Sequence, residues 1–365
     1  MHARAPRPDQ SSTGNRRSDG SRRGFWRSRW VWGPITFLVG LVVVAVAALT
    51  ISPWPGALVI RAVFEDNAKK MAEVMAPFAP TSGVTSVLDV QYASGSKLAN
   101  GNFTAMDVYY PTGTTKPLGT IIWTHGGAWI SGDKSNDRSY FEILASKGYT
   151  VIGLNYTYGP EATYPTAVEE LNLAHKFILA NAAKFFVDPS RLILAGDSAG
   201  AQLTSQLATL ITNPAYAQQM HLTPGLQPAQ VKGLVLNCGV YDMSTLLGGA
   251  GLLGWGDDVA MWAYSGNKDL NVGASPVLAQ MSTINFVTSA FPASYISGGN
   301  ADPLTSGNSV PFAAKLQSLG VPVTTLFWPA NYTPALPHEY QFRLDLDAGQ
   351  TALQQTLAFV ASRVG

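Results

Sequence analysis

Five residues near the middle of the chain, Gly196-Asp197-Ser198-Ala199-Gly200, carry the clearest chemistry. A serine hydroxyl acts as a nucleophile when a sharp turn exposes it and a neighbouring base takes its proton. Ser198 follows the apolar run 192–195 and precedes Leu203, Leu207, Leu210 and Ile211, whose spacing marks one face of a helix. That order predicts strand, tight turn and helix. Small residues two positions either side of the serine let strand and helix approach, while the turn pushes the hydroxyl out at the carboxyl end of a sheet.

Acyl transfer also needs donors for a developing oxyanion. His125-Gly126-Gly127-Ala128-Trp129 directly follows another apolar run, 120–124, and a glycine-rich turn there aims backbone N–H groups at the space above the serine. Gly126, Gly127 and Ala128, with Ala199 after the nucleophile, make up the expected oxyanion hole.

The base must be a histidine, and the five in the chain can be sorted. His2 lies in an arginine-rich tail, His125 belongs to the glycine turn, His175 shares an apolar helical stripe with Val168, Leu171 and Ile178, and His221 sits in a proline-flanked linker. His338, in Pro337-His338-Glu339-Tyr340-Gln341-Phe342 beyond the last strand-like run, remains. Its acid should end a strand between serine and histidine. Asp302, in Gly298-Gly299-Asn300-Ala301-Asp302-Pro303-Leu304 after the run 293–297, meets that condition; Asp242 is the alternative. Asp257, Asp258 and Asp269 fall in an irregular insertion. Glu339, next to the base, is expected not to turn back onto its neighbour's ring.

Positioning these groups takes a sheet. Runs 86–92 and 104–110 read as an antiparallel pair; runs 120–124, 150–155, 191–195, 232–237, 293–297 and 321–327 read as buried strands, with helical patterns between most of them. The expected fold is a doubly wound α/β sheet of about eight strands. Residues 242–292, apolar and glycine-rich, read either as a mobile cap over an acyl pocket or as a packed helical insertion. Cys238 is the only cysteine, which excludes an intrachain disulfide, and it is expected to be structural at the end of a buried strand.

The motifs His-Gly-Gly-Ala-Trp, Ile-Ser-Gly-Asp-Lys-Ser, the segment 155–170, Gly-Asp-Ser-Ala-Gly-Ala, Gly-Gly-Asn-Ala-Asp-Pro-Leu and His-Glu-Tyr-Gln-Phe follow one another over residues 85–365. In that order the chain resembles the α/β-hydrolase superfamily. Within it, the chain is similar to the hormone-sensitive-lipase-like carboxylesterases and to bacterial esterases with an H-G-G-x-W turn. The resemblance implies Ser198, Asp302 and His338 as a catalytic triad, Gly127, Ala128 and Ala199 as oxyanion donors, Gly126 as the residue shaping the turn, and no metal or cofactor. Ala128 stands where the family often has a third glycine, so its backbone N–H is kept while room for bulky tertiary-alcohol esters is reduced. Tyr156-Thr157-Tyr158-Gly159-Pro160-Glu161 replaces the family's usual Y-R-L-A-P-E.

The 365 residues carry a formal charge of +1, but eight arginines against Asp9 and Asp19 give residues 1–29 a charge of +6 and leave −5 on the rest. A mildly acidic remainder gives no support to nucleic-acid binding. Residues 30–51 hold no charge and span roughly 33 Å as a helix, enough for a hydrocarbon core of about 30 Å. The expected organisation is a disordered basic cytoplasmic tail at 1–29, a transmembrane signal anchor at 30–51, an amphipathic juxtamembrane helix and linker at 52–84, and a hydrolase domain at 85–365 outside the membrane. Two alternatives stay open for export: cleavage near Ala47, releasing a secreted protein, and a twin-arginine address at residues 21–27.

Together these point to a serine carboxylic-ester hydrolase acting on small to medium esters. Other acyl hydrolysis on the same triad, of aryl-formamides or polysaccharide acetyl groups, is the alternative, and a non-catalytic module of the same fold is the third. Neither oligomeric state nor natural substrate is readable from these residues.

Overall fold

The computed structural model of the chain describes residues 23–271, 273 and 275–365. Two compact units emerge, one ending at Ser52 and the other Pro53–Gly365. The first contains helix α1 (Arg23–Ile51), whose stretch Pro34–Ile51 has a mean hydropathy of 2.6 and is not buried by the rest of the chain. Length and composition suit either a membrane span or a signal sequence. The helix starts seven residues before residue 30, so residues 23–29, expected in the disordered tail, are helical. Propagating a helix backwards through arginine and aromatic residues is easy once the apolar segment has nucleated it. Residues 1–22, and with them most of the expected tail and the first twin-arginine positions, lie outside the described residues.

The second unit opens with α2 (Trp54–Met75). The stretch Ser52-Pro53-Trp54-Pro55-Gly56 breaks the helix at Ser52 and Pro53, and α2 resumes at Trp54. Pro53 caps α2 and Pro55 lies in its first turn, where a missing N–H leaves no bond unmade.

Among the described residues eight strands form one sheet, in the order β1-β2-β4-β3-β5-β6-β7-β8. β1 (Val84–Gln91) and β2 (Ala105–Pro111) pair antiparallel, and β2 is antiparallel to β4 (Thr150–Leu154). From β4 onward all pairs are parallel: β3 (Leu118–Thr124), β5 (Val187–Asp197), β6 (Val231–Asn237), β7 (Ser294–Gly298) and β8 (Val323–Phe327). Parallel strands need crossovers, and the helices α3 (Arg138–Ser146), α4 (Thr166–Ala180), α5 (Ser198–Thr212), α6 (Pro214–Met220), α7 (Gly251–Ser265), α8 (Pro276–Met281), α9 (Val310–Ser318) and α10 (Asp347–Val364) lie along the connections and at the carboxyl end.

Period-two alternation divides the core into two layers. Ile122, Ile152, Leu194 and Leu236 point to one face, where α4, α5 and α9 supply Leu171, Leu207 and Leu316. Their neighbours Ile121, Val151, Ile193 and Val235 point to the other, where Phe141 and Leu144 of α3 and Phe359 and Val360 of α10 cover them. Buried on both faces, the central strands are continuous apolar runs, which is why the pattern was readable as strand. The expected doubly wound α/β sheet is therefore the observed fold.

One charge is buried where β1 and β2 meet the loop before α3. The Lys134 ammonium lies 3.1 Å from Asp107 and 2.7 Å from Asp89; the side chains of Lys134 and Asp107 are each only 4% exposed, whereas Asp89 is open to solvent. Removing the lysine would strand the Asp107 carboxylate in the interior. Lys134→Ala is therefore expected to cost about 3–5 kcal/mol, against less than about 1 kcal/mol for Asp89→Asn. Denaturant midpoints for the two variants check the ranking, and equal small losses would remove Lys134 from this role.

Candidate active site

The sheet delivers the candidate residues to one edge. β3 and β5 are paired with Thr124 opposite Gly196, and β5 with β6 so that Asp197 faces Asn237, placing His125, Ser198 and Cys238 one step beyond three adjacent strands. Ser198 turns the chain with a φ of 51°, a left-handed conformation uncommon outside glycine. The turn tolerates no bulk at Gly200, where an added Cβ would run into the Thr124 and His125 carbonyls, or at Gly196, where it would meet the Gly200 backbone. The strand-turn-helix expectation around Ser198 is met.

Asp302 and His338 come from the loops after β7 and β8, and those loops are sutured together. Ala301 donates its N–H to the Leu336 carbonyl at 3.0 Å, Leu336 donates to Asn300 Oδ1 at 2.8 Å, and Asn300 Nδ2 donates to the Tyr332 carbonyl at 3.0 Å. The result is a continuous chain of polar contacts: Asp302 Oδ2 to His338 Nδ1 at 2.8 Å, and His338 Nε2 to Ser198 Oγ at 2.8 Å. Asp302 is buried and its other oxygen accepts the Leu304 N–H, whereas the His338 side chain stays 36% exposed. Asp242, the alternative acid, instead accepts from the N–H and hydroxyl of Ser244 and caps the short turn Met243–Leu246. Glu339 departs from expectation. Its φ of 60° swings the carboxylate back, leaving Oε1 3.9 Å from His338 Nε2, too far for a hydrogen bond but close enough to act through its charge.

Burial opposes a charged His338 ring. Against it, the neighbouring Cys238 and the hydrogen-bonded Asp302 carboxylate favour the imidazolium and raise its pKa well above the ordinary range. Asp302 is the decisive partner, because burial pushes the Cys238 thiol up and keeps it neutral. Cys238 sits against the Gln341 side chain with no exposure, consistent with the structural role expected of it.

The glycine turn is held from behind. The Gly126 carbonyl lies 2.7 Å from His125 Nδ1, and the Gly127 carbonyl accepts from the N–H groups of Ile130 and Ser131 and from the Ser131 hydroxyl, at 3.1, 3.0 and 2.9 Å. A trans peptide points its N–H opposite its carbonyl, so fixing those two oxygens fixes the N–H directions of Gly127 and Ala128. Ala199, in the first turn of α5, has no intrahelical acceptor for its N–H. Gly126 is different: its N–H donates to Asp197 Oδ2 at 2.9 Å. Its place among the expected oxyanion residues is thus confined to shaping the turn.

Two positioning groups were missed in the sequence. Asp197 accepts from Gly126 and, at 2.8 Å, from Trp123 Nε1, tying the Ser198 turn to the glycine turn. Burial and then the charge of Glu339 push its pKa up to about 8, against the two donors that favour the carboxylate. The signal was an acid at a strand end, flanked by glycine and serine, with no cation nearby. His125 was assigned to the turn without a task for its ring. Buried and stacked on Tyr156 at 4.6 Å, with burial lowering its pKa, it is a neutral donor through Nδ1. His175 is a core residue as expected, its pKa lowered by burial to about 4.

This arrangement can accept a serine proton at His338 Nε2 and present donors to an oxyanion above Ser198. His125→Phe keeps the ring stack and removes the bond to Gly126. It should lower kcat roughly ten- to a hundredfold with KM little changed, measured on a nitrophenyl ester. Unaltered kcat would mean that the turn holds its shape without the imidazole.

Comparisons with known proteins agree with this architecture. Esterase B from Lactobacillus rhamnosis superposes with a TM-score of 0.70 at 20% identity, covering 84% of this chain and 97% of that one. An esterase from Pyrobaculum calidifontis superposes at 0.63 with 21% identity, over 84% and 92% of the two chains. At such identities the likeness establishes the fold, that of α/β hydrolases. In sequence, a protein of Acanthamoeba polyphaga mimivirus named as an alpha/beta hydrolase is 31% identical over 123 residues, 33% of this chain and 36% of that protein. The chain thus spans only about a third of the length of that curated relative. The family model described as BD-FAE matches residues 106–316, more than half of the chain, from within β2 into α9, and the chain belongs to that family.

Proposed function

We propose that this protein is a serine carboxylic-ester hydrolase that works through an acyl-enzyme. The observation that carries the reading is the unbroken line from Asp302 through His338 to Ser198, facing a turn whose N–H groups are already aimed. In this mechanism His338 Nε2 takes the Ser198 proton as Oγ attacks the ester carbonyl, and Asp302 holds the ring with Nδ1 protonated and balances the imidazolium. The N–H groups of Gly127, Ala128 and Ala199 then receive the oxyanion, each worth about 2.7–4 kcal/mol in the transition state. His338 returns the proton to the leaving alcohol, and water releases the acyl group by the same steps in reverse order.

Small to medium esters are the favoured substrates. The Lactobacillus enzyme is described with a tributyrin phosphonate, a short-chain triacylglycerol mimic, and the apolar residues near Ala128 suit an acyl chain. We further read α1 as an uncleaved anchor with the arginines on its cytoplasmic side and the hydrolase unit outside, a reading supported by its uncharged 18-residue stretch of mean hydropathy 2.6 and the +6 charge ahead of it.

Ser198→Ala should lose hydrolysis of nitrophenyl esters by several orders of magnitude while staying folded, and Asp302→Asn should impair turnover far more than Asp242→Asn. Only neutral His338 can accept the proton, so activity must fall as pH drops through its pKa. Because that pKa is raised, the acid limb belongs above roughly 6.5, and loss of the Asp302 charge should move it to lower pH. An active Ser198→Ala variant, or a limb unmoved by Asp302→Asn, would overturn the assignment. A matched set of acyl amides and sugar acetates separates ester hydrolysis from the other acyl transfers.

A further inference from the structure

We propose that the exposed apolar ridge formed by α2 and α7 docks onto the bilayer surface, so that the ester served by this site is one dissolved in the membrane. The proposal rests on the readings of α1 as a membrane anchor and of the site as an esterase.

Chain length gives the first reason. α1 ends at Ile51 and α2 begins at Trp54, three Cα steps of about 3.8 Å each. If α1 spans the bilayer, the start of α2 cannot leave the lipid–water boundary.

The polarity of α2 gives the second. Its exposed side chains change character halfway along: Trp54, Leu58, Val59, Val63 and Phe64 are exposed and apolar, whereas Glu65, Asp66, Lys69, Lys70 and Glu73 are exposed and charged. The one charge in the first half, Arg61, is turned inward. It makes two short bonds to Glu161, donates to the Ile130 and Gly159 carbonyls and lies 4.6 Å from the Tyr158 ring. A helix that hides its only early charge and shows apolar groups where the chain meets lipid has the character of an interfacial helix.

α7 extends the patch. The two helices run in opposite directions, with Gly56 against Val259 and Trp255 and Ile60 against Gly256. At the exposed start of α7, Leu252 and Leu253 are 86% and 81% open to solvent, beside Trp255. Two adjacent leucines this exposed need a partner. The first acids of α7, Asp257 and Asp258, are half-buried.

The inner side of the same pair touches the candidate site. Ala57, Val259 and Ala260 pack with Ile130, and Ala128 of the glycine turn lies against them. Arg61 holds the Ile130 carbonyl at 2.8 Å. A ridge seated in lipid would therefore set the wall beside the oxyanion donors at the bilayer surface, where an ester partitioned into lipid can reach Ser198 without crossing water.

The test uses the full chain in phosphatidylcholine vesicles. A polarity-sensitive fluorophore is placed at Leu253→Cys and, separately, at Lys69→Cys; Cys238 is fully buried and does not compete for label. The label at 253 should shift to the blue and be quenched by nitroxide-labelled lipid, while the label at 69 stays water-like. In parallel, the double variant Leu252→Glu, Leu253→Glu should cleave a long-chain nitrophenyl ester held in the vesicles at least roughly tenfold more slowly, with cleavage of nitrophenyl acetate from water unchanged. A water-like, unquenched label at 253, or undiminished cleavage of the vesicle-borne ester, overturns the proposal. A shielded label that lipid does not quench, with disulfide-linked dimers of Leu253→Cys, assigns the ridge to a second copy and overturns it too. A chain that fails to float with vesicles removes the anchor and the docking together. If wild type cleaves neither ester, the esterase reading fails while the fluorophores still decide the docking.

Discussion

A trans peptide cannot turn its carbonyl and its N–H to the same side, and the candidate site depends on that constraint. Donors to an oxyanion must be aimed before the reaction, because reorienting them during it would consume the stabilisation they provide. In this chain the aiming is done on the far side of the turn. His125 engages one carbonyl and Ile130 with Ser131 engage the next, so Gly127 and Ala128 have their N–H directions set. The turn runs through positive φ at Gly127, Ala128 and Trp129 in succession, a conformation that persists only where surrounding bonds over-determine it. Trp129 supplies two such bonds, its indole to Gln202 of α5 and its carbonyl to the Gly159 N–H. Arg61 adds another through Ile130.

The electrostatics beneath the turn are under tension. Asp137 and Asp197 are both buried, and burial followed by their mutual repulsion, or by Glu339, raises their pKa values. Asp197 nonetheless receives two N–H bonds that favour its ionised form, from Trp123 and Gly126. This acid links the strand before Ser198 to the strand before the glycine turn, so its charge state bears on the geometry of both. His338 faces the opposite situation, with a single buried carboxylate on Nδ1 favouring its charged form.

The sheet was legible because its central strands are buried on both faces and so read as unbroken apolar runs, as at 120–124 and 232–237. The candidates Ser198, Asp302 and His338 were picked out for a different reason: Ser198 directly follows β5, and Asp302 and His338 lie in the loops after β7 and β8, at the edge where side chains project from a parallel sheet into a cleft. What lay hidden was pairing across long sequence separations. Nothing around Asp197 names Gly126, 71 residues earlier, as its donor. Nor does the spacing of Arg61 and Glu161, 100 residues apart, suggest that α2 is clamped to the loop after β4. In the juxtamembrane helix, expected to be amphipathic, Met75 is buried and Met71 partly so, but Phe64 and Asn67 face solvent because the first half of α2 packs on α7 through Gly56 and Ala57. Small residues carry no periodicity signal, so that contact could not be read in advance.

A crystal structure of the protein after reaction with a nitrophenyl alkylphosphonate tests the central claim most directly. The phosphonate phosphorus should be bonded to Ser198 Oγ, with one phosphoryl oxygen about 2.7–3.1 Å from the backbone nitrogens of Ala199 and of Gly127 or Ala128, and with Gly126 still bonded to Asp197. An oxygen turned to solvent, or a glycine turn that has rotated to present the Gly126 N–H instead, would contradict a hole built in advance from behind.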